Sequence, residues 1–273
     1  MQTEKVHFTK EKETMLVTLY GRALETKRDD PILRDPEAVE AVQRIDYDFA
    51  GLKVRRHDVM AIAARAKVLD VWVEEFLANN PRANVLHLGC GLDSRVYRVN
   101  PSSDVLRFDV DYPEIIDLRQ RLFPERDNYQ MIGSSVTDPG WLEQIPADRP
   151  AAIVAEGLMY YLKEEEVQAL VKRLVDRFPS GQIMFDAISR SYLKIQKTNV
   201  GIKATGARIW WGINDPHELE HWNPRIKLLT NWSAMDQDFP SIKRMSGGMR
   251  ATIRLFALIP ALKNMGLMLR YRF

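Results

Sequence analysis

Two glycines flank a cysteine at Gly89-Cys90-Gly91, directly after the apolar run that holds Val85, Leu86 and Leu88. Lacking a Cβ, such a backbone can turn sharply and come close to a ligand. Asp109 and Asp111 follow Gly89 by 20 and 22 residues, at the end of a second apolar run over 105–110. In a βαβ nucleotide site, an acidic residue at about that distance from a strand–glycine turn holds a ribose hydroxyl. A dinucleotide fingerprint needs a third glycine at position 94, where this chain has Ser94. That glycine serves helix packing beneath a pyrophosphate. Its absence, with Asp93 and Arg95 in the turn, favours a ligand without a pyrophosphate, such as S-adenosylmethionine. Glu156 follows a further apolar run and precedes Gly157. A carboxylate at the carboxyl end of a central strand is rarely there for packing.

Elements that could position these residues are legible on both sides. Helical spacing is predicted over 14–24, 36–45 and 58–79, the last with Ile62, Ala66, Leu69, Trp72, Val73 and Phe76 on one face and Asp58 as a cap. These segments precede the first apolar strand and predict a helical cap over the site. Beyond the glycines, apolar runs at 105–110, 129–132, 151–155 and 183–187 alternate with amphipathic segments at 113–122, 141–145 and 163–178. That alternation is the mark of a parallel sheet covered by helices on both faces. An aromatic-rich excursion over 189–223, with Tyr192, Trp210, Trp211 and Trp222, is less regular. A strand-like run follows at 226–232, then a helix over 249–264 with Pro260 near its last turn, and a terminal strand over 267–273. With no repeat, low-complexity tract or linker, 1–273 reads as one domain: cap 1–80, core 81–188, insertion 189–225, C-terminal strands and helix 226–273.

Composition sets the bounds. Apolar residues make up 45% of the 273 positions and charged residues 28%, as in ordinary globular proteins. The net charge of +2 is spread among both signs, which argues against a nucleic-acid partner. One cysteine, Cys90, excludes an internal disulfide and fits a reducing cytoplasm. It reads as a small side chain tolerated beside a ligand. No stretch approaches the ~20 apolar residues of a membrane span, and no membrane partner is expected. His217-Glu218-Leu219-Glu220-His221 satisfies HExxH, yet Pro216 and Pro224 confine it to a short helix without a clear third ligand, so no metal is expected.

With these residues assembled, the chain resembles the leucine carboxyl methyltransferase family, and within it the branch of bacterial tetracenomycin-type polyketide O-methyltransferases. The resemblance runs from TLYGRALETKRDDPILRDPEA near the start to LRYRF at the end, and its most specific pieces are HLGCGLDSRVYRV, FDVDYPEIIDLR, GSSVTDPGWL and AEGLMYYL. It implies an α/β, class I S-adenosylmethionine-dependent methyltransferase (Rossmann-like) sheet, with S-adenosylmethionine as cofactor. It further implies that Gly89 and Gly91 pass under the methionine part and that Asp111 holds the ribose, Asp109 being the alternative. Arg65 would hold the cofactor carboxylate, and Glu156 would lie close to the amino group. Relatives often bracket the adenine with Asp-Leu; here Ser135-Val136 stands there, leaving Asp138 or backbone amides to make the contact. His87 replaces a polar amide. Tyr20 and Arg22 in the cap, with Tyr160 and Tyr161, are implied or suspected substrate contacts. Trp210, Trp211 and Trp222 pave either an acceptor pocket or the core.

The expected reaction is O-methylation of a small-molecule acceptor. A carboxylate is ionised near neutral pH and needs no general base, whereas a phenol would benefit from one. The strong motifs hold no histidine but His87, so a carboxylic acid of an aromatic or polyketide-like compound is expected, and no residue is assigned as catalytic. Methylation of a protein C-terminal carboxylate is the alternative in class; a nicotinamide-dependent oxidoreductase and a non-catalytic binding protein are the alternatives outside it.

Overall fold

The computed structural model describes residues 4–5, 13–99, 103–195 and 208–273. Near the start, two-residue strands β1 (Glu4–Lys5) and β2 (Ile45–Asp46) pair in parallel. They flank helices α1 (Glu13–Thr26) and α2 (Pro36–Arg44) in the chain, and α3 (Arg56–Asn79) follows. Among the described residues up to 80, this bridge is the only β structure, and helices joined by loops make up the rest. Asp58 is the third residue of α3 rather than its cap: its carboxylate accepts the Arg55 N–H at 3.0 Å, closing the helix start from inside.

The main sheet is built from β3 (Asn84–Leu88), β4 (Leu106–Asp111), β5 (Tyr129–Gly133), β6 (Ala151–Ala155), β7 (Gly181–Ile188), β8 (Lys227–Ser233) and β9 (Gly266–Arg272). Their spatial order is β5-β4-β3-β6-β7-β9-β8. The first five are parallel, and β9, the expected terminal strand, runs antiparallel to both neighbours. β6 is apolar along its whole length because both its faces are covered; every residue is buried. Helix α6 (Glu164–Arg177) shows how a cover is made. Val167, Leu170, Val171, Leu174 and Val175 form one buried stripe at helical spacing, while Glu166 caps the start by accepting the Lys163 N–H. Connections from β3 go to β4 on one side while β6 lies on the other, so the strand order reverses between β3 and β6. That reversal leaves a crevice at the carboxyl ends of these strands.

The predicted helix over 249–264 is broken. It splits into Gly247–Phe256 and Pro260–Lys263, because Pro260 has no N–H to continue a helix and instead opens the second piece. The excursion over 189–223 lies partly outside the described residues. No helix among the described residues is long and apolar enough to cross a membrane.

β9 closes the sheet through a tight contact. Gly181 and Phe273 exchange backbone hydrogen bonds of 3.1 and 3.0 Å. A Cβ at Gly181 would sit 2.3 Å from the Ala151 carbonyl oxygen and 2.6 Å from the Phe273 ring. Gly181→Ala is expected to destabilise the protein by about 2 kcal/mol through backbone displacement; urea unfolding checks this.

Candidate functional site

The glycine turn after β3 is left-handed at both glycines, with φ of 59° at Gly89 and 49° at Gly91. The Gly89 N–H donates to the Val110 carbonyl at 2.8 Å, and the Gly91 N–H donates to Asp111 Oδ2 at 2.7 Å. Asp111 Oδ1 accepts the Tyr112 N–H at 2.7 Å. The carboxylate that ends β4 thus fastens the turn that ends β3. Burial raises the Asp111 pKa, with the two N–H donors working against it. From below, Arg119 on α5 (Pro113–Leu122) donates to the Gly91 and Asp93 carbonyls at 2.8 and 2.7 Å. The same guanidinium is paired with Asp109, whose carboxylate also accepts the Tyr129 hydroxyl at 2.6 Å. Asp109 is therefore engaged away from the cleft, and of the two aspartates Asp111 faces it. A third left-handed glycine, Gly157 with φ 68°, follows Glu156 and was not singled out in the sequence for its backbone.

Behind the turn lies a continuous buried lattice of ions. Glu156, beyond β6, accepts from Arg65 of α3 at 2.9 Å and from Arg95 of the short helix α4 (Arg95–Arg98) at 2.6 Å. Arg65 also donates to Asp186 of β7 at 3.0 Å, and Asp186 in turn accepts the Gly157 N–H at 2.6 Å. Arg95 and Arg98 share Asp70 of α3, each at 2.7 Å. Arg98 reaches Asp93 and Asp35 at 2.8 Å each, and Arg22 of α1 joins Asp35 at 3.1 Å. Four guanidiniums meet five carboxylates, so one negative charge is in excess. Burial alone would discharge Glu156, but Arg65 and Arg95 outweigh it and hold its pKa below the usual range. For Asp186 burial prevails over Arg65 and the pKa is raised. At Arg65 burial is outweighed by Asp186 and Glu156, which fix the guanidinium's proton more firmly than usual.

His87 belongs to this lattice. Its Nε2 lies 3.0 Å from Arg95 Nη1. A guanidinium can only donate, so Nε2 accepts and the proton of the neutral ring is on Nδ1. Burial and the Arg95 charge push the imidazole down to about 4.

Two adjoining cavities open over the turn. The smaller, about 90 Å³, is bounded by Arg22, Arg65, Glu156 and Tyr160 together with the glycine turn. The larger, about 420 Å³, takes in Asp111, Ser135, Val136, Lys163, Arg208 and Trp210. Thr14, Met15, Gly89, Gly157 and Tyr161 border both, so α1 does lie over the site. Arg65, Gly89, Gly91, Asp111, Ser135, Val136, Glu156, Arg22, Tyr160 and Tyr161 are all brought together. Tyr20 is not: it points to the other side of α1, its ring 5.3 Å from Phe49 in an apolar cluster. Asp138 is likewise absent from the lining and caps its own turn, accepting the Gly140 N–H at 2.9 Å. The tryptophans divide. Trp210 lines the larger cavity under the Arg208 guanidinium, 3.7 Å from its ring centre, whereas Trp211 and Trp222 pack together in the core. Cys90 is buried, and burial pushes its thiol up, away from the thiolate a nucleophile needs. In the HExxH segment His217 pairs with Glu220 at 3.1 Å and Glu218 with Arg190 at 2.7 Å. A separate cleft of about 490 Å³ at Glu25, Arg56 and Arg244 shares none of the glycine turn.

Sequence reasoning missed Arg95, Asp70, Asp93, Arg119 and Asp186. The available signal for two of them was Asp93 and Arg95 on either side of Ser94 just after the glycines, which was used only to exclude a pyrophosphate.

Comparisons with known sequences point to one family. The model of the family described as leucine carboxyl methyltransferase matches residues 15–175. The chain is 42% identical, over 99% of both chains, to the tetracenomycin polyketide synthesis O-methyltransferase of Streptomyces glaucescens. It is 35% identical, over 82% of both, to an S-adenosyl-L-methionine-dependent methyltransferase of Gibberella zeae. Among solved structures, a DUF574-family protein of Streptomyces avermitilis superposes with a TM-score of 0.60 over 95% of this chain and 96% of that one, at 13% identity. A Thermobifida fusca protein does so at 0.59 over 93% of both, at 18% identity. These likenesses show the fold.

The state of His87 has a consequence for stability. Its folded pKa, about 4, lies below the reference value of 6.5. A depressed histidine contributes stability above the unfolded pKa, and this is lost as the pH falls from about 6.5 toward 4. The loss amounts to about 3 kcal/mol. His87→Gln keeps an acceptor for Arg95 and does not titrate. Denaturation across this pH window should show wild type losing about that much more stability than the variant.

Proposed function

The chain belongs to the leucine carboxyl methyltransferase family, and from that premise we propose how its site serves an S-adenosylmethionine-dependent O-methyltransferase and which acceptor it takes. The bound cofactor supplies an activated methyl group on a sulfonium, and the protein's task is to hold donor and acceptor in line. The site's chemistry fits this cofactor. S-adenosylmethionine carries a sulfonium, an ammonium and one carboxylate, hence one positive charge in excess, against a lattice with one carboxylate in excess. In our assignment Gly89 and Gly91 run under the methionine part, where left-handed backbone leaves no Cβ. Arg65 keeps its outer edge for the cofactor carboxylate while Glu156 and Asp186 grip the rest of the guanidinium. Glu156 attracts the amino group, Asp111 takes the ribose, and Ser135 and Val136 bracket the adenine. The N-terminal 80 residues act as cap to a single unit spanning 1–273.

For the acceptor we assign a carboxylic acid of an aromatic or polyketide-like small molecule, converted to its methyl ester. One observation carries this choice: the imidazole at the cleft, His87, is buried with its Nε2 taken by Arg95. With Nε2 engaged and its pKa lowered, it does not collect a proton near neutrality. The Tyr160 and Tyr161 phenols, pushed up by burial, offer no base either. A carboxylate acceptor needs none. Arg208, stacked on Trp210 at the wall of the larger cavity, supplies a cation and an aromatic face of the kind an aromatic acid would use. The relative from Streptomyces glaucescens is named for tetracenomycin polyketide synthesis, which favours a small molecule over a protein terminus.

Two experiments test this. Incubation of the purified protein with S-adenosylmethionine and paired aromatic acids and phenols should yield base-labile methyl esters from the acids; turnover of phenols alone would sink the acceptor assignment. In calorimetry, Asp111→Asn and Arg65→Lys should each weaken S-adenosylhomocysteine binding by about tenfold or more. Unchanged affinity in both would overturn the assigned contacts.

A further inference from the structure

The segment that joins β8 to β9 leaves an apolar surface uncovered. Eight large hydrophobic side chains stand exposed among the described residues, and five of them, Met249, Leu255, Phe256, Leu258 and Ile259, fall within positions 249–259. Leu258 is 74% exposed. Helix Gly247–Phe256 buries none of its residues fully; Ile253 rests against the cluster around Trp72 and Phe76. Large apolar side chains exposed this densely within eleven positions are the mark of an interaction site.

Within the segment itself the charge is one-sided. From Phe239 to Phe273 the chain has seven lysines and arginines and no Asp or Glu. Lys243, Arg244, Lys263 and Arg270 reach back to Asp238, Asp30, Asp236 and Glu75. Arg250 and Arg254 meet no carboxylate among the described residues. An amphipathic helix with bare apolar side chains and unpaired arginines has the composition that lies in a lipid interface.

We propose that helix Gly247–Phe256 and the turn after it dock on an anionic lipid surface. Leu255, Phe256, Leu258 and Ile259 enter the headgroup–acyl boundary, and the exposed Arg254, with the half-buried Arg250 one turn before it, meets lipid phosphates. A second copy applied symmetrically would set Arg250 and Arg254, which meet no carboxylate among the described residues, against their own copies, and like charges disfavour that arrangement. The sequence predicts no membrane partner because nothing in it can span a bilayer; a peripheral contact needs no span. Position supports a use. Gly266 pairs with Ile188 at the carboxyl end of β7, and Ser233 pairs with Leu267. The docking segment therefore leaves and rejoins the sheet at the end where Asp111 and Glu156 stand, so docking holds that end near the lipid.

The test is co-sedimentation of the full chain with vesicles of phosphatidylcholine alone or mixed with phosphatidylserine, alongside a light-scattering mass without lipid. Wild type should sediment with the mixed vesicles, not with the neutral ones, and less as salt is added. Leu255→Glu with Leu258→Glu, and separately Arg250→Glu with Arg254→Glu, should each lower partitioning by about tenfold or more while S-adenosylhomocysteine binding persists. Absence of vesicle binding, equal binding to neutral vesicles, or full binding by either variant would overturn the proposal. So would a stable dimer that the leucine variant dissociates, since a second copy would then be the occupant.

Discussion

Glu156 is held between two arginines that come from different parts of the chain, and most of the site depends on that grip. Arg65 arrives on a long cap helix and Arg95 on the first turn after the glycine loop, and the carboxylate between them pairs with both guanidiniums. Removing one member of such a lattice strands its partner's charge away from water, a larger penalty than the pair's own worth. The lattice therefore specifies geometry more than it adds stability. It ties α1, α3, α4, β6 and β7 into one arrangement, and side chains otherwise free to choose rotamers are fixed against the cleft.

The same lattice explains why the site suits a cationic donor and why its own members are poor proton acceptors. A closed network of four guanidiniums and five carboxylates leaves one negative charge for the ligand to balance. It also absorbs the groups that might have served as bases: Glu156 is doubly paired, Asp186 is engaged by Arg65 and Gly157, and His87 is committed to Arg95. A reaction whose nucleophile arrives ionised asks only for alignment, and that is what these residues can provide.

The alternation of apolar runs with amphipathic segments made the parallel sheet legible, because period and length survive in the sequence. Asp111 and the glycines were legible for the same reason: their roles follow from position along a strand–turn–strand unit. What remained hidden depends on contacts across large separations. Asp186 looks like any polar residue near the end of a buried strand until β7 is placed beside Gly157 and α3. Asp109 and Asp111, two apart on one strand, could not be told apart until Arg119 and Tyr129 were seen to claim the first. Tyr20 and Arg22 are two residues apart on one helix, and only the rotation of that helix shows that one packs with Phe49 while the other joins the lattice.

The antiparallel terminal strand has a part in this too. Without β9, strand β7 would be an edge of the parallel run, and Asp186 would stand where water competes for its oxygens. Pairing of Asp186 with Met268 in the β7–β9 register makes β7 an interior strand. Its carboxylate is then shielded enough that Arg65 and the Gly157 N–H become its main partners, at 3.0 and 2.6 Å. Screening and hydration would weaken the same contacts at an exposed edge. Seven residues at the end of the chain thus help to fix the direction of an arginine on the third helix, through a carboxylate that touches neither end of the sequence.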